Sequence, residues 1–213
     1  MGYSQGNEQE IILSYFNGAV GVFADFGAND GRTLSNTLAL AERGWSGILV
    51  EPSEEAFRRL AETYKHNDMV NQFDDSIISL HNCAVTGQYD GLIEMFESSE
   101  HLGKGDVSLL STTIEKETER WKGTNTIFTP KTVKAKPVNK ILIGSNFEKI
   151  DFFSIDVEGK ELEIIAEIDF NKYQTKMICV EWNSISQEKY DDIILPFGFH
   201  LHHKNAENLI YIR

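Results

Sequence analysis

The chain has 213 residues, a length that suits one α/β domain with a well-buried core and is short for two. Its 33 acidic and 20 basic residues give a net charge of -13, which argues against a broad phosphate-binding surface, so no nucleic-acid partner is expected. No apolar run approaches the ~18 residues of a membrane span, residues 1–6 lack a basic-then-apolar leader, and Gly6 stands where a myristoylation signal wants Ser or Thr.

Cys83 and Cys179 each sit in or beside an apolar run and read as buried free thiols. A cytoplasmic chain without a membrane partner is therefore expected, and nothing in the sequence signals an oligomeric state.

Taken in chain order, residues 11–16 read as a short helix and residues 20–26 as a strand running into a glycine loop. Leu34, Leu38 and Ala41 recur at helical spacing, with Gly44 placed to end that helix. Residues 45–51 form a second strand. Pro52-Ser53-Glu54-Glu55 then opens a helix whose Phe57, Leu60 and Tyr64 share a face. A third strand is expected over residues 77–85. Alternating strand and helix predicts a parallel sheet.

Residues 89–137 break the rhythm, being rich in Ser, Thr, Gly and Lys with one strand-like run at 92–96, and read as an insertion over one end of the sheet within a single domain, 1–213. Residues 103–140 carry eight Lys or Arg and four Asp or Glu, the one locally basic region. The alternation resumes with a strand at 150–155, a turn at Glu158-Gly159, and a helix with Leu162, Ile165 and Ala166 on one side. A strand at 177–182 and a helix at 187–195 follow. Strands at 199–203 and 209–212, joined by a short polar turn, should pair as an antiparallel hairpin.

The loop Asp25-Phe26-Gly27-Ala28-Asn29-Asp30-Gly31 lies between the first strand and the first helix of the alternation. Glycines there let backbone approach a ligand, and free N–H groups at a helix start bind polar groups. Dinucleotide enzymes use the same geometry, with G-x-G-x-x-G spacing, but only Gly27 and Gly31 fit it here. Charge separates the readings, because Asp25, Asp30 and Glu51 would repel a pyrophosphate. S-adenosylmethionine instead brings a sulfonium and an ammonium. Asp25 can face that cationic end, and Glu51 can accept both ribose hydroxyls.

The stretches Phe23-Ala24-Asp25-Phe26-Gly27-Ala28-Asn29-Asp30-Gly31, Ser35-Asn36-Thr37, Gly44-Trp45-Ser46-Gly47-Ile48-Leu49-Val50-Glu51-Pro52 and Ile150-Asp151-Phe152-Phe153-Ser154-Ile155-Asp156-Val157-Glu158-Gly159 resemble the FkbM methyltransferases. The resemblance runs over residues 4–181. It implies a class I methyltransferase fold, a Rossmann-like three-layer sandwich with a mostly parallel seven-stranded sheet whose last strand is antiparallel. It further implies S-adenosylmethionine as cofactor and O-methylation of a hydroxyl on a saccharide or natural-product small molecule. Ser154 departs from the lysine common at its position, and residues 89–137 lie outside the motifs that carry the resemblance.

The expected cofactor-binding set is Asp25, Gly27, Ala28, Asn29, Gly31, Glu51 and Pro52, with Asn82, Cys83 and Ala84 where the implied fold turns past the adenine. The expected catalytic set is Asp156, Glu158 and Glu181, at the carboxyl edge where such sheets bind ligands. Asp156 is the first choice as general base. Glu158 reads equally as a turn acid capping the following helix. Asp156, Glu181 and Asn183 also resemble the magnesium site of catechol-type O-methyltransferases, except that Trp182 intervenes, so a divalent metal is not favoured.

His202 and His203 alternate faces within a strand and read as structural. His101 is a possible proton acceptor. Trp121, Trp182, Lys104, Lys122 and Lys131 could meet an acceptor, although core tryptophans and solvated lysines account for them as well. Two rival readings stay open: a nicotinamide oxidoreductase, and a catalytically silent S-adenosylmethionine-binding protein.

Overall fold

The computed structural model describes residues 2–182 and 185–213. The first half runs α1 (Glu8–Phe16), β1 (Val22–Phe26), α2 (Leu38–Ala41), β2 (Ser46–Val50), α3 (Glu54–Lys65), α4 (Asp68–Asn71), β3 (Ile78–His81), β4 (Ala84–Thr86) and β5 (Gly91–Ser98). A 3-10 segment, Glu115–Trp121, leads to β6 (Phe128–Pro137), α5 (Val138–Gly144), β7 (Phe152–Ile155), α6 (Glu161–Ile165), β8 (Met177–Glu181), α7 (Gln187–Ile194), β9 (His200–Lys204) and β10 (Asn208–Ile212).

The main sheet has seven strands in the order β3-β2-β1-β7-β8-β10-β9. β10 runs antiparallel to both its neighbours, and the β3-β2-β1-β7-β8 pairings are parallel. Alternation along the strands fills both faces. Ala24, Val50, Phe153 and Val180 pack against Ile141, Ile165 and Tyr190 on the side of α5, α6 and α7. Phe23, Leu49, Phe152 and Met177 pack against Ile12, Phe16, Leu38 and Leu60 on the side of α1, α2 and α3. This is the expected three-layer α/β sandwich with its terminal hairpin.

α3 begins where the sequence indicates. The Ser53 hydroxyl oxygen accepts from Ala56 N at 3.3 Å, a cap worth about 1 kcal/mol. Glu54 and Glu55 occupy the first turn and Lys65 the last, each at the helix end whose dipole favours it.

Several expectations need correction. The helix expected from Leu34 is only α2, because Leu34 adopts a left-handed φ of 57° and is exposed. Ser35 Oγ instead accepts from Thr37 N and Leu38 N and starts the helix there. The strand expected over 77–85 divides at Asn82 and Cys83, with β3 staying in the main sheet and β4 joining a second one. On α6 the buried face is Glu161, Ile164 and Ile165, while Ala166 is exposed.

The second sheet has the order β4-β6-β5, so the strand-like run at 92–96 is β5. β6 was not foreseen, because Pro130 and Pro137 both argue against a strand interior. The register removes the conflict. β6 pairs β5 through residues 128–135 and β4 through residues 135–137, so each proline lies where a single neighbour is paired. Residues 89–137 are thus tied through β6 to β4, and they reach the carboxyl end of the main sheet. None of the described helices is long and apolar enough to cross a membrane.

Candidate active site

A cavity of about 330 Å³ opens at the carboxyl ends of β1, β2, β7 and β8, within the usual size range of small-molecule sites. Asp25, Gly27, Ala28, Asn29, Glu51, Pro52 and Ala84 line it, as do Asp156, Glu158 and Glu181. Ten of the thirteen expected site residues therefore share one space.

Gly31, Asn82 and Cys83 do not line it. Gly31 has φ 72° and faces α3, where a Cβ would stand 2.5 Å from Leu60 Cδ1. Its glycine serves packing rather than ligand approach. Asn82 Nδ2 donates to the carbonyls of Glu51 and Pro52, which shapes the end of β2 from outside. Cys83 is buried in the core.

Glu51 is held from both sides. Asn29 N donates to Oε2 at 3.0 Å and Ser53 N donates to Oε1 at 2.7 Å. Each oxygen keeps lone-pair capacity toward the cavity. Burial pushes its pKa up to about 8, although the two N–H donors pull the other way. Asp25 is likewise raised to about 7 by burial, while Thr37 Oγ1 donates to its Oδ2 at 2.5 Å and Ser154 also bonds it. Ser154, at the position where lysine is common, is thus a hydroxyl partner of Asp25.

Asp156, Glu158 and Glu181 place carboxylate oxygens within 4.8 Å of one another. Asp156 faces the cavity but is walled by protein, so its surroundings still raise its pKa. Burial, then the charges of Asp156 and Glu158, raises Glu181. A hydrogen bond joins Asp156 and Glu181, and it lowers the first while raising the second. Both carboxyls are thus pushed toward holding a proton, and the bond between them favours Glu181 as its carrier.

Glu158 has a left-handed φ of 56° and is 8% exposed. Its carbonyl accepts from Thr112 Oγ1 at 2.7 Å, and its carboxylate lies 3.9 Å from Arg120 Nη1. The helix-capping role weighed for Glu158 is not taken up, since α6 has Lys160 at its N-cap and no side-chain cap bond. Glu161 Oε1 accepts from Val157 N and Gly159 N, both at 3.0 Å, and so braces the turn that aims Glu158 inward. The metal site weighed and not favoured from the sequence included Asn183, which lies outside the described residues.

Further walls come from residues 89–137, where His101 and Trp121 were weighed from the sequence and Met95, Leu109, Leu110 and Arg120 were missed. Met95, Leu109 and Leu110 add apolar lining to the cavity, and Arg120 and Trp121 line it as well. Asn29 Nδ2 donates to Val107 O at 2.9 Å, which ties this cover to the glycine loop. His101 lines the cavity and meets Trp121 edge-on at 4.8 Å. Of the lysines named, Lys131 pairs with Glu97 and Lys122 with Glu119, both exposed, and Trp182 packs beneath Lys204. Gln5, Asn36 and Glu207 also reach the cavity, and only Asn36 had a signal, its place in the Ser35-Asn36-Thr37 motif.

Comparison with solved structures agrees with this geometry at the level of fold. The chain is similar to methyltransferase FkbM from Methylobacillus flagellatus KT, with TM-score 0.54 and 13% identity, over 90% of this chain and 43% of that one. It is similar to the METTL16 MTase domain (TM-score 0.51, 10% identity, 95% of this chain and 63% of that one). It also matches a methyltransferase from Geobacter sulfurreducens (TM-score 0.51, 9% identity, 97% and 77%). The chain thus spans less than half the length of the first and under two thirds of the second. No curated protein matches it. The model of the methyltransferase FkbM domain matches residues 25–203, and the chain belongs to the FkbM methyltransferase family.

Proposed function

We propose that the chain is an S-adenosylmethionine-dependent O-methyltransferase acting on a hydroxyl of a saccharide or natural-product small molecule. The observation that carries this reading is one cavity holding both Glu51, with its two oxygens fixed by backbone donors, and the Asp156–Glu181 pair.

The family implies S-adenosylmethionine, and the residues present fit it. Glu51 offers two fixed acceptors to a vicinal diol, Asp25 offers a carboxylate to a cation, and Met95, Leu109 and Leu110 offer an apolar wall to a flat ring. When bound, the cofactor supplies a methyl group on sulfonium sulfur, which is transferred as the carbon–sulfur bond breaks and leaves a neutral thioether. Asp156 holds the acceptor hydroxyl and takes its proton as the oxygen–carbon bond forms. Glu181, carrying the proton of the pair, keeps Asp156 ionised and oriented. Most of the acceleration comes from alignment inside the enclosed cavity. Trp121 supports a saccharide acceptor, since an indole face stacks on a sugar ring.

An acid-lined cavity and a net charge of -13 support an acceptor other than nucleic acid. Two buried free thiols support a reducing, cytoplasmic setting.

The test is incubation with isotopically labelled S-adenosylmethionine and a panel of glycans and small alcohols, read by mass spectrometry, beside calorimetry with S-adenosylhomocysteine and NAD. Label on an acceptor oxygen is the expected result. Heat with NAD and none with S-adenosylhomocysteine would overturn the cofactor. Binding without transfer across the panel would favour the silent alternative.

A further inference from the structure

A buried chain of polar groups crosses the sheet from α1 to the cavity. Glu8 is 1% exposed, and its Oε1 accepts from Asn208 Nδ2 at 3.1 Å. Asn205 Nδ2 donates to the same oxygen and Gly6 N to the other. Asn208 Oδ1 lies 3.7 Å from Cys179 Sγ, and Cys179 Sγ lies 3.8 Å from Asn36 Nδ2. Asn36 Nδ2 also donates to Ser154 Oγ at 3.3 Å. Asn36 and Ser154 line the cavity.

The chain has one polarity, and Glu8 sets it. Burial works to protonate Glu8, but the hydrogen bonds from Asn205, Gly6 and Asn208 outweigh it, so the group stays an anion that only accepts. Asn208 must then turn its NH2 toward Glu8 and its oxygen toward Cys179. Burial keeps the Cys179 thiol protonated, and its single hydrogen goes to Asn208 Oδ1. Sulfur is left to accept from Asn36. Ser154 agrees, because its one hydroxyl hydrogen bonds Asp25 and its oxygen accepts from Asn36. Both amide hydrogens of Asn36 are thus turned to the sheet, and its Oδ1 accepts from no described residue.

We infer that Asn36 reads the ammonium group of the methyl donor through its side-chain carbonyl oxygen, and that the Glu8–Asn208–Cys179 relay fixes the direction of that carbonyl. The inference rests on the donor reading above. Ser154 Oγ accepts from Asn36 Nδ2 and gives its one hydrogen to Asp25, so Asn36 and Asp25 meet at a hydroxyl whose donor is already used, and both line the cavity with acceptors to offer. Such a wall suits a group with three N–H hydrogens and disfavours a carboxylate. Asn36 is a binding residue; Cys179 and Glu8 are positioning residues, acting through it.

The experiment is calorimetry with S-adenosylhomocysteine and with its analogue lacking the α-amino group, on the full chain. The native protein is expected to prefer the amine by at least about tenfold, the scale of a hydrogen bond to a charged group. Asn36→Ala should remove most of that preference. Cys179→Ala should narrow it by at least about threefold, whereas Cys179→Ser, which still donates and accepts, should keep it. The ratio of two ligands on one preparation does not move with a general loss of stability. Equal losses on both ligands in Asn36→Ala, or no loss on either, would overturn the ammonium assignment and leave the donor reading intact. An unchanged ratio in Cys179→Ala would overturn the relay. Absence of heat from the native protein with both ligands would overturn the donor reading, and this inference with it.

Discussion

The carbonyl oxygen of Asp156 closes against the Cα of Gly27, so that a Cβ at position 27 would stand 1.6 Å from it. This approach locks the ends of β1 and β7 together and places the donor-side loop and the carboxylate pair at one depth. Gly27→Ala meets both that overlap and a left-handed φ of 87°. The variant should lose about 2–3 kcal/mol of stability together with donor binding. Gly31→Ala serves as the contrast, since its overlap is with Leu60 and Tyr64 away from the cavity. It should melt earlier yet keep donor affinity in the fraction that folds. Thermal melting and calorimetry on both variants decide the matter, and normal donor binding by Gly27→Ala would sink the account of the loop.

The acidic donor site predicts opposite pH trends for stability and for binding. Glu51 rises from 4.5 to about 8 and Asp25 from 3.8 to about 7 on folding. Groups raised in the folded state stabilise it fully below their unfolded values and lose that contribution as pH climbs through the folded ones. The melting temperature of the ligand-free protein should therefore fall between about pH 5 and pH 8. Affinity for the cationic donor should climb over the same window, as both groups ionise. Glu51→Gln should flatten both trends and weaken donor binding by about tenfold or more. A melting temperature that rises with pH through this range would refute the assignment of these two carboxyls.

Much of this was legible in the residues, and the misses have physical reasons. The alternation of strand-like runs at 20–26 and 45–51 with helical spacing between them exposed the parallel sheet, and the acid at position 51 pointed to the donor site. Gly27 and Gly31 looked alike in sequence, yet one meets a backbone carbonyl and the other a leucine on α3. Local spacing does not encode that difference. Ser35 hid the true start of α2, since a cap competes with helical periodicity and wins only when its hydroxyl finds Thr37 N and Leu38 N. The insertion over the sheet end was legible, but its pairing was not, because β6 takes its partners from residues 84–98, at least 30 positions earlier in the chain. The Glu8 relay depends on Asn208, 200 residues away, and no periodicity reports such a pairing.

Asp156→Asn separates chemistry from binding. The amide is nearly isosteric but cannot take a proton, so turnover should fall by about a hundredfold or more. Donor affinity should stay within about threefold, because Glu51 and Asp25 keep their bonds. Glu181→Ala should also slow turnover, by leaving Asp156 without the partner that donates to it, whereas Glu181→Gln, which still donates, should keep most of the rate. Steady-state rates beside calorimetric affinities read both effects. A parallel fall of rate and affinity in Asp156→Asn would move Asp156 into the donor site.

Glu158→Gly tests whether the turn after β7 stores strain for the sake of the site. Position 158 holds a φ of 56°, which costs a non-glycine residue about 1 kcal/mol, and the Thr112 bond to its carbonyl is independent of the side chain. Glycine should therefore raise the melting temperature by about 2–4 °C for a chain of this size. The substitution also removes a carboxylate whose charge raises the pKa of Glu181. The ascending limb of the pH–rate profile should move to lower pH, since a like charge that opposed ionisation is gone. An unchanged melting temperature would mean the backbone there is unstrained, and an unmoved limb would place the general base outside the Asp156–Glu181 pair.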